Sequence, residues 1–309
     1  MASLVRTTAP AKVNLALSVG ACLSSGMHPI ASCMTTVRLE DDLEVKRLAH
    51  DRMSRFAIEW HPDARRQTEI NWPIRKDLAV RAHTLLEEKL SRSLPIQLRL
   101  RKRIPVGSGL GGGSSNAAAM LRALDALFEL RLRSEYLESI ALELGSDVPF
   151  LVRGGCAIVE GTGGALEAAT QHETHLVFVL PEVQCPTAEV YRAFDALRSD
   201  ARVDPARVRM LAASRVAPHA PFNDLADAAL AVAPALAELR TRVAQISELP
   251  VHVSGSGSTL FVVCDSAVHA DALAAAIEMR LHVPSIATVT APTRAIEVDD
   301  EEPSTTLPY

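Results

Sequence analysis

Apolar and polar side chains alternate along two stretches of the first hundred residues, and this period of two predicts β-strands with one buried face. In residues 12–19 every odd position is Val or Leu. Lys12 and Asn14 therefore lie together on the opposite face of the predicted strand. Residues 96–101 alternate in the same way, which predicts a second strand of this kind.

The remaining apolar positions recur at helical spacing or in short continuous runs. Helices are predicted over 78–90 (capped by Asp77), 117–128, 133–144, 187–197 (capped by Thr187), 223–246 and 267–280. Further strands are predicted over 31–39 and 43–48 (joined by an acidic turn at 40–42), 176–180 and 286–289, with a strand, glycine turn and strand across 251–264. This order indicates an α+β protein, which we divide into residues 1–165, 166–296 and an acidic segment, 297–309, expected to be disordered.

A glycine-rich loop lies between the predicted strand 96–101 and the helix that follows it. Glycine occupies five of the seven positions from Gly107 to Gly113. Such a loop lets backbone N–H groups approach a ligand closely, and the helix N-terminus behind it adds further N–H groups and a partial positive charge. Ser114 and Ser115 are candidate helix caps whose hydroxyls also suit an oxyanion or a bound Mg²⁺. The segment therefore predicts a phosphate site.

Two familiar phosphate motifs match this loop only in part. Gly107, Gly109 and Gly112 satisfy G-x-G-x-x-G, but a dinucleotide fold also needs an acidic residue about 20 positions later. That region, residues 131–133, is basic. A Walker loop needs a lysine before its Ser or Thr, and here glycine stands at that position. The interpretation of the chain as a dinucleotide-dependent oxidoreductase consequently rests on the glycine spacing alone.

Asp147 is an unusual acid because it follows a predicted helix end and precedes the apolar residues 148–151. A carboxylate in such surroundings destabilises the fold unless it is paired or functional. A turn or cap role and a catalytic role both remain open at this point.

Composition excludes several classes of protein. Of 309 residues, 48% are hydrophobic, which is enough for a large core, and the net charge of −5 leaves no polybasic surface for nucleic acid. No apolar run is long enough to span a membrane, and the N-terminus does not resemble a signal peptide. The five cysteines are scattered, which indicates free thiols in a reducing cytoplasm.

Three segments together resemble the signatures of the GHMP small-molecule kinases. They are Pro10-Ala-Lys-Val-Asn14, the loop from Pro105 through Gly-Leu-Gly-Gly-Gly-Ser-Ser to Ala118, and Ser254-Gly-Ser-Gly257. The resemblance implies two domains with a cleft between them. The first is a nucleotide domain like ribosomal protein S5 domain 2, and the second is a ferredoxin-like α/β sandwich. It also implies ATP, with Mg²⁺ on the nucleotide.

The resemblance also assigns roles to individual residues. Asp147 would be the base that takes the proton of the acceptor hydroxyl, and Lys12 would be its cationic partner. The implied ATP-binding residues are Lys102, Pro105, Gly107, Gly109, Leu110, Gly111, Gly112, Gly113, Ser114 and Ser115, with Ser115 also a candidate contact for the nucleotide-bound Mg²⁺. The implied substrate-binding residues are Asn14, Met27, His28, Thr187, Tyr191, Gly255 and Ser256.

The triple glycine, Leu144-Gly-Ser-Asp-Val-Pro-Phe150 and Gly26-Met27-His28 are similar to GHMP kinases that phosphorylate the 2-hydroxyl of a cytidine diphosphate-linked sugar alcohol. Met27 departs from them, since they usually carry a tyrosine that stacks on the cytosine. Two alternatives stay open: a GHMP kinase for a mevalonate-, homoserine- or sugar-type alcohol, and a nucleotide-binding regulator without catalysis. Retention of both Lys12 and Asp147 argues against the regulator. We expect a cytoplasmic monomer or homodimer with no nucleic-acid or membrane partner.

Overall fold

The computed structural model describes residues 2–299, which form two β-sheets packed on each other and covered by helices. The strands are β1 (Leu4–Val19), β2 (Ile30–Arg47), β3 (Arg55–Trp60), β4 (Ile96–Lys102), β5 (Cys156–Gly161), β6 (Ala165–Ala168), β7 (His175–Val179), β8 (Phe222–Asn223), β9 (His252–Val253), β10 (Leu260–Cys264), β11 (Ser285–Val289) and β12 (Glu297–Asp299). The helices are α1 (Leu78–Leu90), α2 (Gly112–Leu127), α3 (Ser134–Leu144), α4 (Val148–Arg153), α5 (Thr187–Leu197), α6 (Pro205–Ala212), α7 (Ala226–Val232), α8 (Pro234–Ser247) and α9 (Ala267–Leu281). The α+β class is confirmed.

The first sheet is built on the long antiparallel pair β1 and β2. Its strands run in the order β12-β1-β2-β4-β3, with β5 and β6 continuing from β2 and β8 lying parallel beside β1. Helices α1 to α4 cover one face, and their Ala, Leu and Ile side chains pack with that face in one apolar core. Burial of this apolar stripe is what holds helices of this length in place.

The second sheet runs in the order β11-β7-β10-β9 and packs one face against α5, α7, α8 and α9. Its other face meets the first sheet, where Val13 and Leu15 lie in the same core as Phe178 and Phe261. Strand β1 is therefore covered on both faces rather than on one. Lys12 on this strand is only 5% exposed.

The division of the chain between the sheets is not strictly linear. Strand β6 crosses the predicted boundary at 165/166 and still belongs to the first sheet. Strands β8 and β12 also return from the second half to pair with β1. The division into two domains, residues 1–165 and 166–296, remains a prediction.

The acidic turn expected at 40–42 is wrong, because β2 runs without interruption from Ile30 to Arg47. Asp41 in its middle is completely buried. The strand tolerates this acid because four donors surround its carboxylate.

Two helix predictions in the second half also need correction. The single helix expected over 223–246 is two helices, α7 and α8, because Pro234 cannot continue a helix and instead starts the next one. Thr187 begins α5 but makes no capping hydrogen bond. Its hydroxyl lies 2.9 Å from the hydroxyl of Ser256 instead.

The acidic C-terminal segment is ordered at its start. Residues 297–299 pair antiparallel with residues 4–6 of β1, so disorder was the wrong expectation for these three residues. The rest of the segment, residues 300–309, lies outside the described residues.

Candidate active site

A cavity of about 1130 Å³ opens between the glycine loop, the start of β2, α5 and the glycine turn after β9. Nearly all the residues singled out from the sequence line it. These are Lys12, Asn14, Met27, His28, Lys102, Pro105, Gly107, Gly109, Gly111, Gly112, Gly113, Ser114, Asp147, Thr187, Tyr191, Gly255 and Ser256. Leu110 and Ser115 are the exceptions. Segments more than 200 residues apart in sequence thus meet at one site.

Lys12 and Asp147 form an ion pair in this cavity. The Lys12 Nζ lies 3.3 Å from Asp147 Oδ2 and donates a 2.7 Å hydrogen bond to Asn14 Oδ1. Lys12 is almost fully buried, whereas 27% of the Asp147 side chain is exposed. The carboxylate can therefore reach a bound molecule while the ammonium stays fixed behind it.

The backbone explains how these side chains reach one point. The pairing of β1 with β2 shifts register between Pro10 and Lys12 and again between Asn14 and Ala16. Such irregularities redirect side chains, and here they flank both polar residues. Asp147 precedes α4 and makes no capping hydrogen bond, so the capping role left open from the sequence is not the one it plays.

Ser32 holds the side chain of Asn14, the hydrogen-bond acceptor of Lys12, and nothing in the sequence pattern identified Ser32. The Asn14 amide donates a 2.8 Å hydrogen bond to Ser32 Oγ, and that hydroxyl donates onward to the Ala16 carbonyl. Ser32 is completely buried. The chain of hydrogen bonds fixes the amide so that its oxygen, an acceptor, faces Lys12.

The glycine loop is held through its carbonyl groups. Leu110 accepts a hydrogen bond from the Lys12 N–H, Ser108 accepts one from the Thr259 N–H, and Gly109 accepts one from the Ser254 hydroxyl. The N–H groups of Gly109, Leu110 and Gly111 donate to no other residue within 2–299. Gly109 and Gly111 line the cavity, so their N–H groups are free for a ligand, as a phosphate site requires.

The two serines after the loop differ from expectation, since both lie inside α2 and Gly111 is the cap residue. Ser115 is buried and its hydroxyl donates to the Pro10 carbonyl at 2.7 Å. The contact of Ser115 with Mg²⁺ stays a prediction, and in the structure the hydroxyl is directed toward the backbone of β1. Ser114 lines the cavity, and its hydroxyl makes no hydrogen bond within the described chain.

Glycine at position 111 is required because the backbone passes close to the Lys12 side chain. Its φ is +70°, and an added Cβ would lie 2.9 Å from Lys12 Cγ. We expect Gly111→Ala to displace Lys12 from Asp147 and lower kcat by about tenfold or more, the magnitude of a misplaced catalytic group. Gly107→Ala is the matched control, because its φ is +69° and its Cβ would meet nothing within 4 Å. Equal losses of kcat in the two variants would show that backbone strain, not the lysine, is responsible.

A buried ion cluster lies beneath the loop and was not predicted. Asp41 Oδ2 accepts from Lys102 Nζ at 2.6 Å and from the Asn116 amide at 2.8 Å. Asp41 Oδ1 accepts from the backbone N–H groups of Arg103 and Ile104, where the loop begins. Lys102 therefore has its charge paired within the protein while its side chain lines the cavity. The sequence signal for a buried acid nearby was Lys102 itself, because the alternation of β4 places this charged residue on the same buried face as Leu98 and Leu100.

The opposite end of the cavity is aromatic and contains a histidine. The His28 and Tyr191 rings lie 4.6 Å apart, and His28 Nε2 is 2.8 Å from Asp195 Oδ1. Burial, together with the charge of Asp147, raises the pKa of Tyr191 to about 12, so the phenol stays protonated at physiological pH. Met27, next to His28, is 48% exposed. These groups form a surface suited to a flat ring.

Asn223 fixes the second glycine turn and was also missed, because the sequence placed it at a helix start. Its side-chain amide donates to the carbonyls of Val253 and Gly255 at 2.9 and 2.7 Å. A Cβ added at Gly255 would lie 3.3 Å from Asn14 Oδ1 and 3.4 Å from Lys12 Nζ, so the turn passes close to both side chains. Asn223 of strand β8 therefore holds the glycine turn of the second sheet beside Lys12 and Asn14.

Among residues 2–299, no helix combines the length and the apolarity needed to cross a bilayer.

Known proteins resemble the chain over nearly its whole length. Residues 77–155 match the family model described as the GHMP kinases N terminal domain. A 4-diphosphocytidyl-2-C-methyl-D-erythritol kinase of Pseudarthrobacter chlorophenolicus is 34% identical over 286 residues, 88% of each chain. A crystal structure of 4-(cytidine 5'-diphospho)-2C-methyl-D-erythritol kinase is 32% identical, with a TM-score of 0.75 over 93% of this chain and 99% of that one.

A homoserine kinase of Cytophaga hutchinsonii is 16% identical with a TM-score of 0.66 over 97% of this chain and 98% of its own. At this identity the likeness shows the fold alone. The family model and the relatives more than 30% identical are kinases, so the oxidoreductase alternative is wrong and the protein is an enzyme that uses ATP. The chain belongs to the GHMP kinases and, within them, to the 4-diphosphocytidyl-2-C-methyl-D-erythritol kinase family.

Proposed function

We propose that this enzyme transfers the γ-phosphoryl group of ATP to the 2-hydroxyl of 4-diphosphocytidyl-2-C-methyl-D-erythritol. The observation that carries the proposal is the ion pair of Lys12 and Asp147, which lies between the free N–H groups of the glycine loop and the ring-binding surface around His28. One end of the cavity suits a triphosphate and the other a nucleobase, and the acceptor hydroxyl belongs between them.

The roles of the residues follow from the charges in the reaction. Phosphoryl transfer depends on positioning and on neutralising the oxygens of the transferred group. The loop N–H groups and the start of α2 hold the phosphates. Asp147 accepts the proton of the acceptor hydroxyl, and Lys12 stabilises charge that develops on the transferred group.

Mg²⁺ fits the oxygen groups present at the loop. The Ser114 hydroxyl lines the cavity and makes no hydrogen bond to any of residues 2–299, and the Asp147 carboxylate is partly exposed there. Hard cations of this kind take oxygen ligands and are held mainly by substrate phosphates. Bound with the nucleotide, the ion would neutralise phosphate charge. We propose that the Ser114 hydroxyl is the protein group that would bind the Mg²⁺ ion.

We also propose a cytoplasmic location and an assembly no larger than a homodimer. The five cysteines are free in the structure, which agrees with a reducing compartment.

Tyr191 tests the identity of the acceptor substrate. We expect Tyr191→Ala to raise the KM for the cytidine substrate by about 5- to 150-fold, since a base–aromatic stack contributes about 1–3 kcal/mol. The KM for ATP should change little, because the glycine loop is at the other end of the cavity. Steady-state kinetics with each substrate varied in turn measure both values.

Tyr136→Ala is the matched control, because this tyrosine lies on α3 with 38% of its surface exposed. If the parent enzyme phosphorylates mevalonate or homoserine and not the cytidine compound, the proposed acceptor substrate is wrong. Equal changes in both KM values would refute the assignment of Tyr191 to the nucleobase site.

A further inference from the structure

Three potential metal ligands meet at the nucleobase end of the cavity. Cys22 and His28 come from the loop between β1 and β2, and Asp195 comes from α5. One ligand atom from each lies within 4.8 Å of the other two, and the imidazole and carboxylate are already 2.8 Å apart. Nothing in the transfer reaction requires Cys22.

We propose that Cys22, His28 and Asp195 form a binding site for Zn²⁺. Thiolate, imidazole and carboxylate are the three side-chain ligands that zinc takes in proteins, and three of them with a water complete a tetrahedron. A thiolate and a carboxylate together balance the charge of the ion, and the imidazole binds as a neutral ligand.

The geometry needs only small movements to close around an ion. Zinc–ligand bonds of about 2.0–2.3 Å place tetrahedral ligands about 3.3–3.7 Å apart. His28 and Asp195 would separate slightly, and Cys22 would rotate toward them. Its thiol can do so, since it is exposed and its one hydrogen bond within residues 2–299 is to the Leu23 carbonyl at 3.5 Å. Tyr191 packs against His28 and holds the imidazole plane in position.

The position of the site gives it a consequence for the enzyme. A zinc ion would bind the imidazole of His28 and lie beside Tyr191, where the proposed function places the cytosine. Zinc and a cytidine nucleotide should therefore exclude each other, so zinc acts as an inhibitor competitive with the acceptor substrate. This consequence, unlike the metal site itself, rests on the proposed function.

The test uses the full-length enzyme without ATP, so that metal on the nucleotide does not contribute. Co²⁺ is titrated first as a spectroscopic probe, and a thiolate-to-cobalt band in the near ultraviolet is expected at one ion per chain. Zn²⁺ affinity is then measured by displacement of Co²⁺. Cys22→Ser should remove the band and weaken zinc binding by about 100-fold or more, because even groups that only support a ligand contribute about 10–100-fold.

Asp195→Asn should weaken binding while the band remains, since the thiolate is still present. Ser24→Ala, a change two residues away in the same exposed loop, is the control and should bind like the parent. Absence of the band, or a Cys22→Ser enzyme that binds zinc as the parent does, would overturn the proposal. Cytidine 5'-monophosphate is expected to displace the metal. If cytidine 5'-monophosphate leaves the band unchanged, the metal site stands, but the placement of the nucleobase beside His28 is refuted.

Discussion

Replacement of Asp147 by asparagine is expected to lower kcat by about 10²–10⁴-fold, the usual contribution of a general base. Asparagine keeps the size and much of the hydrogen bonding of the side chain, but it cannot accept the proton of the attacking hydroxyl. The Kd for ATP should stay near that of the parent, because the loop N–H groups that we propose to hold the phosphates are unchanged. Single-turnover kinetics and an ATP-binding titration on the same preparation separate the two effects.

Lys12→Met provides the second part of this test. The two side chains are 3.3 Å apart and form one charged unit, so the double variant should lose less activity than the product of the single losses. Glu138→Gln is the control for removal of an acid, since Glu138 on α3 pairs only with Arg153 in the described structure. A folded Asp147→Asn enzyme with full turnover would refute the assignment of the base.

Replacement of Asp41 by alanine is expected to reduce the free energy of unfolding by about 3–5 kcal/mol, which is what breaking a buried ion pair on one side costs. The Lys102 ammonium would remain buried beside Asn116 with no negative charge to balance it. The N–H groups of Arg103 and Ile104 would lose their acceptor as well. Denaturant unfolding followed by circular dichroism measures this change.

Asp42→Ala is the matched control, one residue away on the same strand. Asp42 pairs with Arg103 with 40% of its side chain exposed, and a solvated pair of this kind contributes only about 0–1 kcal/mol. If both variants unfold at the same denaturant concentration, the cluster under the loop does not stabilise the fold. If Asp41→Ala does not fold at all, Asp41→Asn, which keeps one acceptor oxygen, should fold with an intermediate loss.

The sequence was sufficient wherever a local pattern determines the structure. Alternation in residues 12–19 separated Lys12 and Asn14 from the apolar face of β1, and the glycine density located the loop before α2. Asp77 caps α1 as predicted, since an N-cap acts within two residues of itself. The register shifts that bring Lys12 to Asp147 have no counterpart in the local pattern.

Contacts between distant segments account for what was missed. Asp41 looked like part of a turn because its four donors come from β4, the loop and α2, at least 60 positions further along the chain. Thr187 looked like a cap because its true partner, Ser256, is 69 residues away. Pro234 is different: its effect is local, and the run of alanines around it concealed a signal that was present.

The hydrogen bonds that the glycine loop accepts have a consequence for the energetics of catalysis. Because Ser108, Gly109 and Leu110 present their carbonyls to the protein, the peptide dipoles of the loop are aligned by folding before any nucleotide arrives. If the loop binds the nucleotide as we propose, phosphate oxygens meet dipoles that need no reorientation, unlike those of water, which must turn as charge develops. The loop is thus an example of electrostatic preorganisation, in which the work of orienting dipoles is done during folding rather than in each turnover.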